Sequence, residues 1–226
     1  MNTKKKYFRS LRDYGVAVIG LEVPHVHVHL IPINNMADMQ FMKKEKLTND
    51  EFIELHIRLV EGVEFTKMVF NKFQIKSLVR IEAPLGDFYL RDSNKPMLMI
   101  AGGSGLAPIV SILEKAQEDG CERAVTVLLG ARTQADIYGK NELDELAKKW
   151  PNRFEFEQIL SEETNDTSWQ GLKGYIGEHL QIFATCNSQV YLCGPPLMID
   201  DCIDKLSKLG ISTSEMFADR FVANSN

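Results

Sequence analysis

The sequence predicts an α/β fold built on a doubly wound parallel sheet and preceded by a smaller, partial β-rich region. Three observations predict it. From residue 97 onward, short apolar runs alternate regularly with stretches of helical period. The run Met97-Leu98-Met99-Ile100-Ala101 is apolar at every position, as a central parallel strand covered on both faces must be. It stops at Gly102-Gly103-Ser104-Gly105, where side chains are missing just as the chain turns into a helix.

Residues 1–11 are basic and read as a frayed or helical end. Tyr14 to Leu21 reads as a strand, Glu22-Val23-Pro24 breaks it, and His25 to Pro32 is a second strand. Residues 33–52 are polar and Met-rich without a period, and read as a linker. The segment I-E-L-H-I-R-L-V from Ile53 alternates as a strand, Phe65 to Phe73 is a short helix, and Ser77 to Pro84 is another strand. Beyond it come strand 97–101, helix 105–118, strand 124–129, helix 140–149, strand 154–160, helix 175–184, strand 189–193, helix 196–208 and strand 213–217. Three regions follow: 1–52, 53–94 and 95–226.

Composition narrows the classes. A 226-residue chain with 44% hydrophobic and 25% charged residues has the makings of a globular core. A net charge of −5 leaves no footprint for nucleic acid, and Lys4 to Lys6 reads as a solvated end. The apolar segment Val16 to Leu21 is too short to span a bilayer and lacks a cleavage pattern, so a cytoplasmic location is expected. The four cysteines, at 121, 186, 193 and 202, include no C-x-x-C pair, so no metal or iron-sulfur site is expected and a reduced pool fits.

The glycine turn is the first candidate site. Leu106 to Ala116 reads as a helix with Ile109, Leu113 and Ala116 on one face and Pro108 in its first turn. Its unpaired N–H groups and positive dipole end suit a pyrophosphate, with Ser104 adding a hydroxyl donor. The turn is not a G-x-G-x-x-G fingerprint, and tight packing alone also accounts for its glycines. Arg132, just past the second strand, is placed to reach a nucleoside phosphate or ribose; an exposed salt bridge is its other reading. Asp136, four residues further on, would repel a phosphate that it faced. Cys193-Gly194-Pro195 joins a strand to a helix, and the sequence alone reads the cysteine as structural. His25, His27 and His29 share one face of their strand, where imidazoles can bind metal, act as acid, base or nucleophile, or line a solvated surface.

Two resemblances attach to these residues. P-H-V-H-V-H-L-I, flanked by V-A-V-I-G-L-E-V-P and I-P-I-N, resembles the C-terminal part of the histidine-triad nucleotide hydrolases and transferases over about residues 1–50. That likeness implies a nucleophilic role for His27, supported by His25 and His29. The segments E-G-V-E-F-T, V-R-I-E-A-P-L-G-D-F-Y-L-R-D, G-G-S-G-L-A-P, V-L-L-G-A-R-T-Q-A-D-I-Y, Y-L-C-G-P-P and E-M-F-A-D-R-F resemble, in order, the ferredoxin-NADP reductase superfamily of oxygenase-type reductases over about 53–226. This second resemblance implies FAD near Gly62 and Thr66, and a nicotinamide dinucleotide on Gly102, Gly103, Ser104, Gly105, Leu106, Arg132 and Asp136. It places Cys193, Gly194 and Pro195 beside the nicotinamide, and Glu215, Asp219, Phe217 and Phe221 near the flavin ring, with core packing the other reading of Phe217. Residues 53–94 would be the remnant of the flavin barrel, since no R-x-Y-S strand occurs upstream. The implied function is hydride transfer from NAD(P)H to FAD and onward to a protein or small acceptor. His27 chemistry and a non-catalytic dinucleotide-binding fusion fragment are the alternatives.

Overall fold

The computed structural model describes residues 17–18, 29–30, 64–73, 81–83, 87–162 and 168–221. The chain divides into two compact units, residues 2–87 and residues 88–226.

In the first unit, β1 (Ala17–Val18), β2 (His29–Leu30) and β3 (Ile81–Ala83) form a three-stranded sheet with β3 in the centre. β3 pairs parallel with β1 and antiparallel with β2, so Ala17 and His29 both stand opposite Glu82. Helix α1 (Glu64–Asn71) buries Val69. His25, His27 and Gly62 lie outside the described residues.

The second unit holds β4 (Met97–Gly102), α2 (Leu106–Glu118), β5 (Val125–Ala131), α3 (Lys140–Lys149) and β6 (Phe154–Leu160). After these come β7 (Leu172–Lys173), α4 (Ile176–Phe183), β8 (Gln189–Gly194), α5 (Pro196–Lys208) and β9 (Met216–Arg220). The strands form one six-stranded sheet in the order β7-β6-β5-β4-β8-β9, with every pairing parallel. The order reverses at β4: β5 lies on one side of it and β8 on the other.

Because side chains alternate along a strand, β4 feeds two cores. Met97, Met99 and Ala101 join Ile109, Leu113, Ala116, Leu143 and Leu146 from α2 and α3. Leu98 and Ile100 join Ile176, Leu180, Ile199, Cys202 and Leu206 from α4 and α5. All six residues of β4 are buried, as are all six of β8, which explains runs without polar alternation.

Two predicted elements differ from the structure. β7 was not expected, because two residues between glycines carry no periodic signal. The last strand begins at Met216 rather than near residue 213, because Thr213–Glu215 form a 3-10 turn whose Ser212 hydroxyl accepts the Ser214 N–H. Among the described residues, no helix is long and apolar enough to cross a membrane.

At the amino edge of this sheet the chain is fastened by a polar network absent from the sequence reading. Arg123 is 8% exposed, and its guanidinium donates to the Lys95 and Arg91 carbonyls at 2.6 and 3.3 Å and to Gln189 Oε1 at 2.9 Å. The Tyr191 phenol donates to the same Gln189 oxygen and accepts the Arg91 N–H, each at 2.8 Å. Glu215 closes the network with Lys95 at 2.7 Å and Gln189 Nε2 at 3.2 Å.

Candidate dinucleotide site at the carboxyl edge

Open parallel sheets bind ligands beyond their carboxyl edge where strand order reverses, and the sequence motifs gather there. β4 ends at Gly102, and Gly103–Gly105 form a 3-10 turn that runs directly into α2. Gly103 adopts φ 53, a left-handed conformation that costs glycine nothing and other residues about 1 kcal/mol. The Leu106 N–H folds back on the Gly103 and Ser104 carbonyls. α2 has neither a side-chain cap nor an acidic residue in its first turn, so nothing local competes with an anion for the positive end of its dipole.

The glycines also serve packing between segments. A Cβ on Gly105 would stand 2.1 Å from the Cys193 carbonyl oxygen, and one on Gly102 would stand 2.7 Å from both Pro195 Cδ and Met198 Sδ. The turn after β4 and the turn after β8 are therefore pressed together backbone to backbone. An uncapped helix start and a close internal contact occur together in Gly102–Gly105. Leu106 is fully buried, so its side chain belongs to the core.

Cys193 is 1% exposed and stands opposite Asp219 on β9, with its thiol donating to Oδ2 at 3.8 Å. Burial first, and then the neighbouring carboxylate, hold the thiol well above its ordinary pKa. It is a neutral group near neutral pH, suited to shaping a site and unsuited to nucleophilic attack. The Phe221 N–H donates to the Gly194 carbonyl at 3.0 Å, which brings the half-exposed ring of Phe221 to the same edge.

Arg132 pairs with Asp136 at 3.5 Å; the arginine side chain is 43% exposed and the aspartate 15%. Asp136 also accepts from the Thr133 N–H and hydroxyl, each at 3.3 Å, capping the 3-10 turn Gln134–Asp136. Burial pushes this carboxyl up, but the Arg132 charge and the Thr133 donors outweigh it and leave its pKa below the ordinary value.

The structure separates some residues that the sequence grouped. Glu215 lies at the amino edge, paired with Lys95 and Gln189. Phe217 stacks on Tyr191, with ring centroids 5.3 Å apart, and lies 5.0 Å from the Arg91 guanidinium; core packing accounts for it. Thr66 lies in α1. A separate cleft of about 260 Å³ between α3 and β6, bounded by Phe154, Phe156 and Trp169, includes none of the expected site residues. Sequence reasoning missed Tyr138, whose phenol donates to the Gly103 carbonyl at 3.2 Å. Its one available signal was its place at the end of G-A-R-T-Q-A-D-I-Y.

Comparisons with known proteins agree with this geometry. A family model described as the oxidoreductase NAD-binding domain matches residues 99–204. The xylene/toluene monooxygenase electron transfer component of Pseudomonas putida is 38% identical over 173 residues, which is 76% of this chain and 49% of that protein. The phenol 2-monooxygenase reductase component of Pseudomonas sp. strain CF600 is 36% identical over 177 residues, 76% of this chain and 50% of that one. The crystal structure of the Amycolatopsis cytochrome P450 reductase GcoB superposes with a TM-score of 0.74 at 27% identity, covering 90% of this chain and 62% of that one. The chain spans about half the length of the curated relatives it matches. These matches lend no support to the histidine-triad resemblance of residues 1–50. Residues 99–204 match the oxidoreductase NAD-binding domain, and the parallel sheet that holds them has the ferredoxin reductase-like NAD-binding fold.

Proposed function

We propose that the chain is an NADH-dependent flavin reductase that feeds electrons to an acceptor, and that 95–226 is its dinucleotide-binding domain. The observation that carries this reading is the convergence, on one sheet edge, of an uncapped glycine turn, the Arg132–Asp136 pair, the buried Cys193 and the Phe221 ring. In this reading the Gly103–Gly105 amides and the Ser104 hydroxyl take the pyrophosphate. Arg132 lies toward the adenosine, and Asp136, holding a full negative charge beside it, disfavours a 2′-phosphate and so NADPH. Gly102, Gly194 and Pro195 keep the two turns in contact, and Cys193 presents a neutral, polarisable wall to the nicotinamide, with Phe221 at its rim. Bound here, a nicotinamide dinucleotide would supply a hydride to a flavin, and that transfer would ask the residues around Cys193 for binding and orientation and not for an acid or base.

Residues 53–94 are assigned in this proposal to the end of a flavin-binding barrel, with Gly62 and Thr66 near the flavin pyrophosphate, and 1–52 to a segment with its linker. The acceptor is a protein of the kind that the relatives' names imply, an oxygenase system, or a small oxidant.

The test is the visible spectrum of the purified chain after FAD addition and desalting, followed by NADH or NADPH under anaerobic conditions. A retained flavin band that NADH bleaches faster than NADPH is expected. Loss of the flavin on desalting overturns the self-sufficient reductase and leaves a dinucleotide-binding domain.

A further inference from the structure

Tyr138 ends the loop that follows β5. Its ring packs on the α2 and α3 core, and its phenol donates to the Gly103 carbonyl at 3.2 Å. The same carbonyl accepts the Leu106 N–H, so one oxygen closes the glycine turn from within and anchors it from outside. The next residue, Gly139, precedes α3, and a Cβ there would stand 2.5 Å from Leu106 Cδ2. The loop after β5 therefore meets the glycine turn at Tyr138 and the first residue of α2 at Gly139, while the Cys193 carbonyl presses on Gly105. Burial, with the Cys193 thiol adding to it, keeps the phenol protonated far above neutral pH, so the donor persists across any practical assay pH.

Gly103 has no Cβ to restrict its backbone, so a free glycine turn would sample several shapes besides the left-handed one and lose that freedom on binding a ligand. The geometry points to Tyr138 as a positioning residue whose phenol fixes Gly103 and thereby pre-organises the Gly103–Gly105 amides for a phosphate group of the dinucleotide. This rests on the proposed reading of the turn as the pyrophosphate site. It adds that the loop carrying Arg132 and Asp136 also sets the shape of the phosphate turn, so the adenosine and phosphate subsites are mechanically joined.

The experiment compares the full chain with its Tyr138→Phe variant, using ADP-ribose and adenosine as ligands and hydrogen exchange of the free proteins as a second readout. ADP-ribose is expected to bind about three- to tenfold more weakly to the variant, the equivalent of one lost hydrogen bond. Adenosine, which has no phosphate, is expected to bind equally to both, and exchange is expected to quicken at residues 103–106 while the rest of α2 stays unchanged. An ADP-ribose affinity within about twofold of the original overturns the inference, as does an equal loss for both ligands, which marks a structural role only. Should the variant lose its near-ultraviolet circular dichroism, the original chain decides: a protected Leu106 amide supports a pre-held turn, and an unprotected one overturns it. An original chain that binds no ADP-ribose removes the pyrophosphate reading itself, and this inference with it.

Discussion

Replacing Gly105 by alanine separates two uses of a glycine that ordinarily predict opposite signs. Gly105 sits at φ −62 and ψ −8, a helical conformation in which alanine stabilises proteins by about 0.4–1 kcal/mol, because it restricts the unfolded chain. On the conformational argument alone, Gly105→Ala strengthens the start of α2. The added methyl, however, would stand 2.1 Å from the Cys193 carbonyl oxygen, 0.9 Å inside the 3.0 Å that Cβ contacts essentially never cross. The obstacle is backbone, and β8 is paired along its length with β4 on one side and β9 on the other, so it has little room to retreat. Forcing an extra methyl into a filled site costs about 1–3 kcal/mol. Set against the conformational gain, the mid-range expectation is a loss of about 1.3 kcal/mol and a Tm lower by roughly 3–5 °C. Thermal unfolding followed by circular dichroism measures it directly. A Tm equal to or above that of the original chain refutes the close packing of the two turns.

Three further outcomes are expected. Exposed Cys186 is expected to react first with a thiol reagent at pH 8, whereas buried Cys193 and Cys202 react only as fast as the protein unfolds. Burial, with Asp201 nearby, pushes the Cys202 thiol from 9.0 up to about 12, so the folded state keeps a proton that the unfolded chain releases. Its contribution is complete below pH 9 and is lost as pH rises toward 12, at most about 1.4 kcal/mol per pH unit. Cys202→Ala should flatten the fall of the urea midpoint over that range, and a variant that keeps the original slope contradicts the assignment. At the amino edge, Arg123→Met leaves the Lys95 and Arg91 carbonyls and Gln189 Oε1 without their shared donor. A loss of about 3 kcal/mol in urea unfolding is expected, and one below about 1 kcal/mol sinks the network as a stabilising feature.

The sheet was legible because its strands are covered on both faces: unbroken apolar runs such as Met97 to Ala101 announce burial without reference to any partner. The glycine turn and the helix after it were legible for the same local reason. What the sequence hid is non-local. Nothing in E-R-A-V tells that Arg123 will be buried against a glutamine 66 residues away, and charged residues next to a strand usually face water. Gly105 announced a missing side chain but not the Cys193 carbonyl that fills the space. Glu215 and Asp219 share one short segment, yet one lies at the start of a strand and the other near its end, so the sheet carries them to opposite edges. The pairing of Arg132 with Asp136 was more accessible, being four residues apart, although it required a capped turn rather than a helix.

The two edges of the sheet divide labour in a way that bears on how the chain tolerates change. Arg123, Gln189, Tyr191, Lys95 and Glu215 saturate one another at the amino edge, whereas the carboxyl edge keeps a helix start uncapped. One edge has its polar groups paired with one another, and the other keeps its helix start without a side-chain cap. Substitutions at the paired edge should alter stability, whereas those at the uncapped edge should alter stability where they meet the packed turns and, under the proposed function, ligand affinity as well. An engineer seeking a hardier protein can work on the first without touching the second.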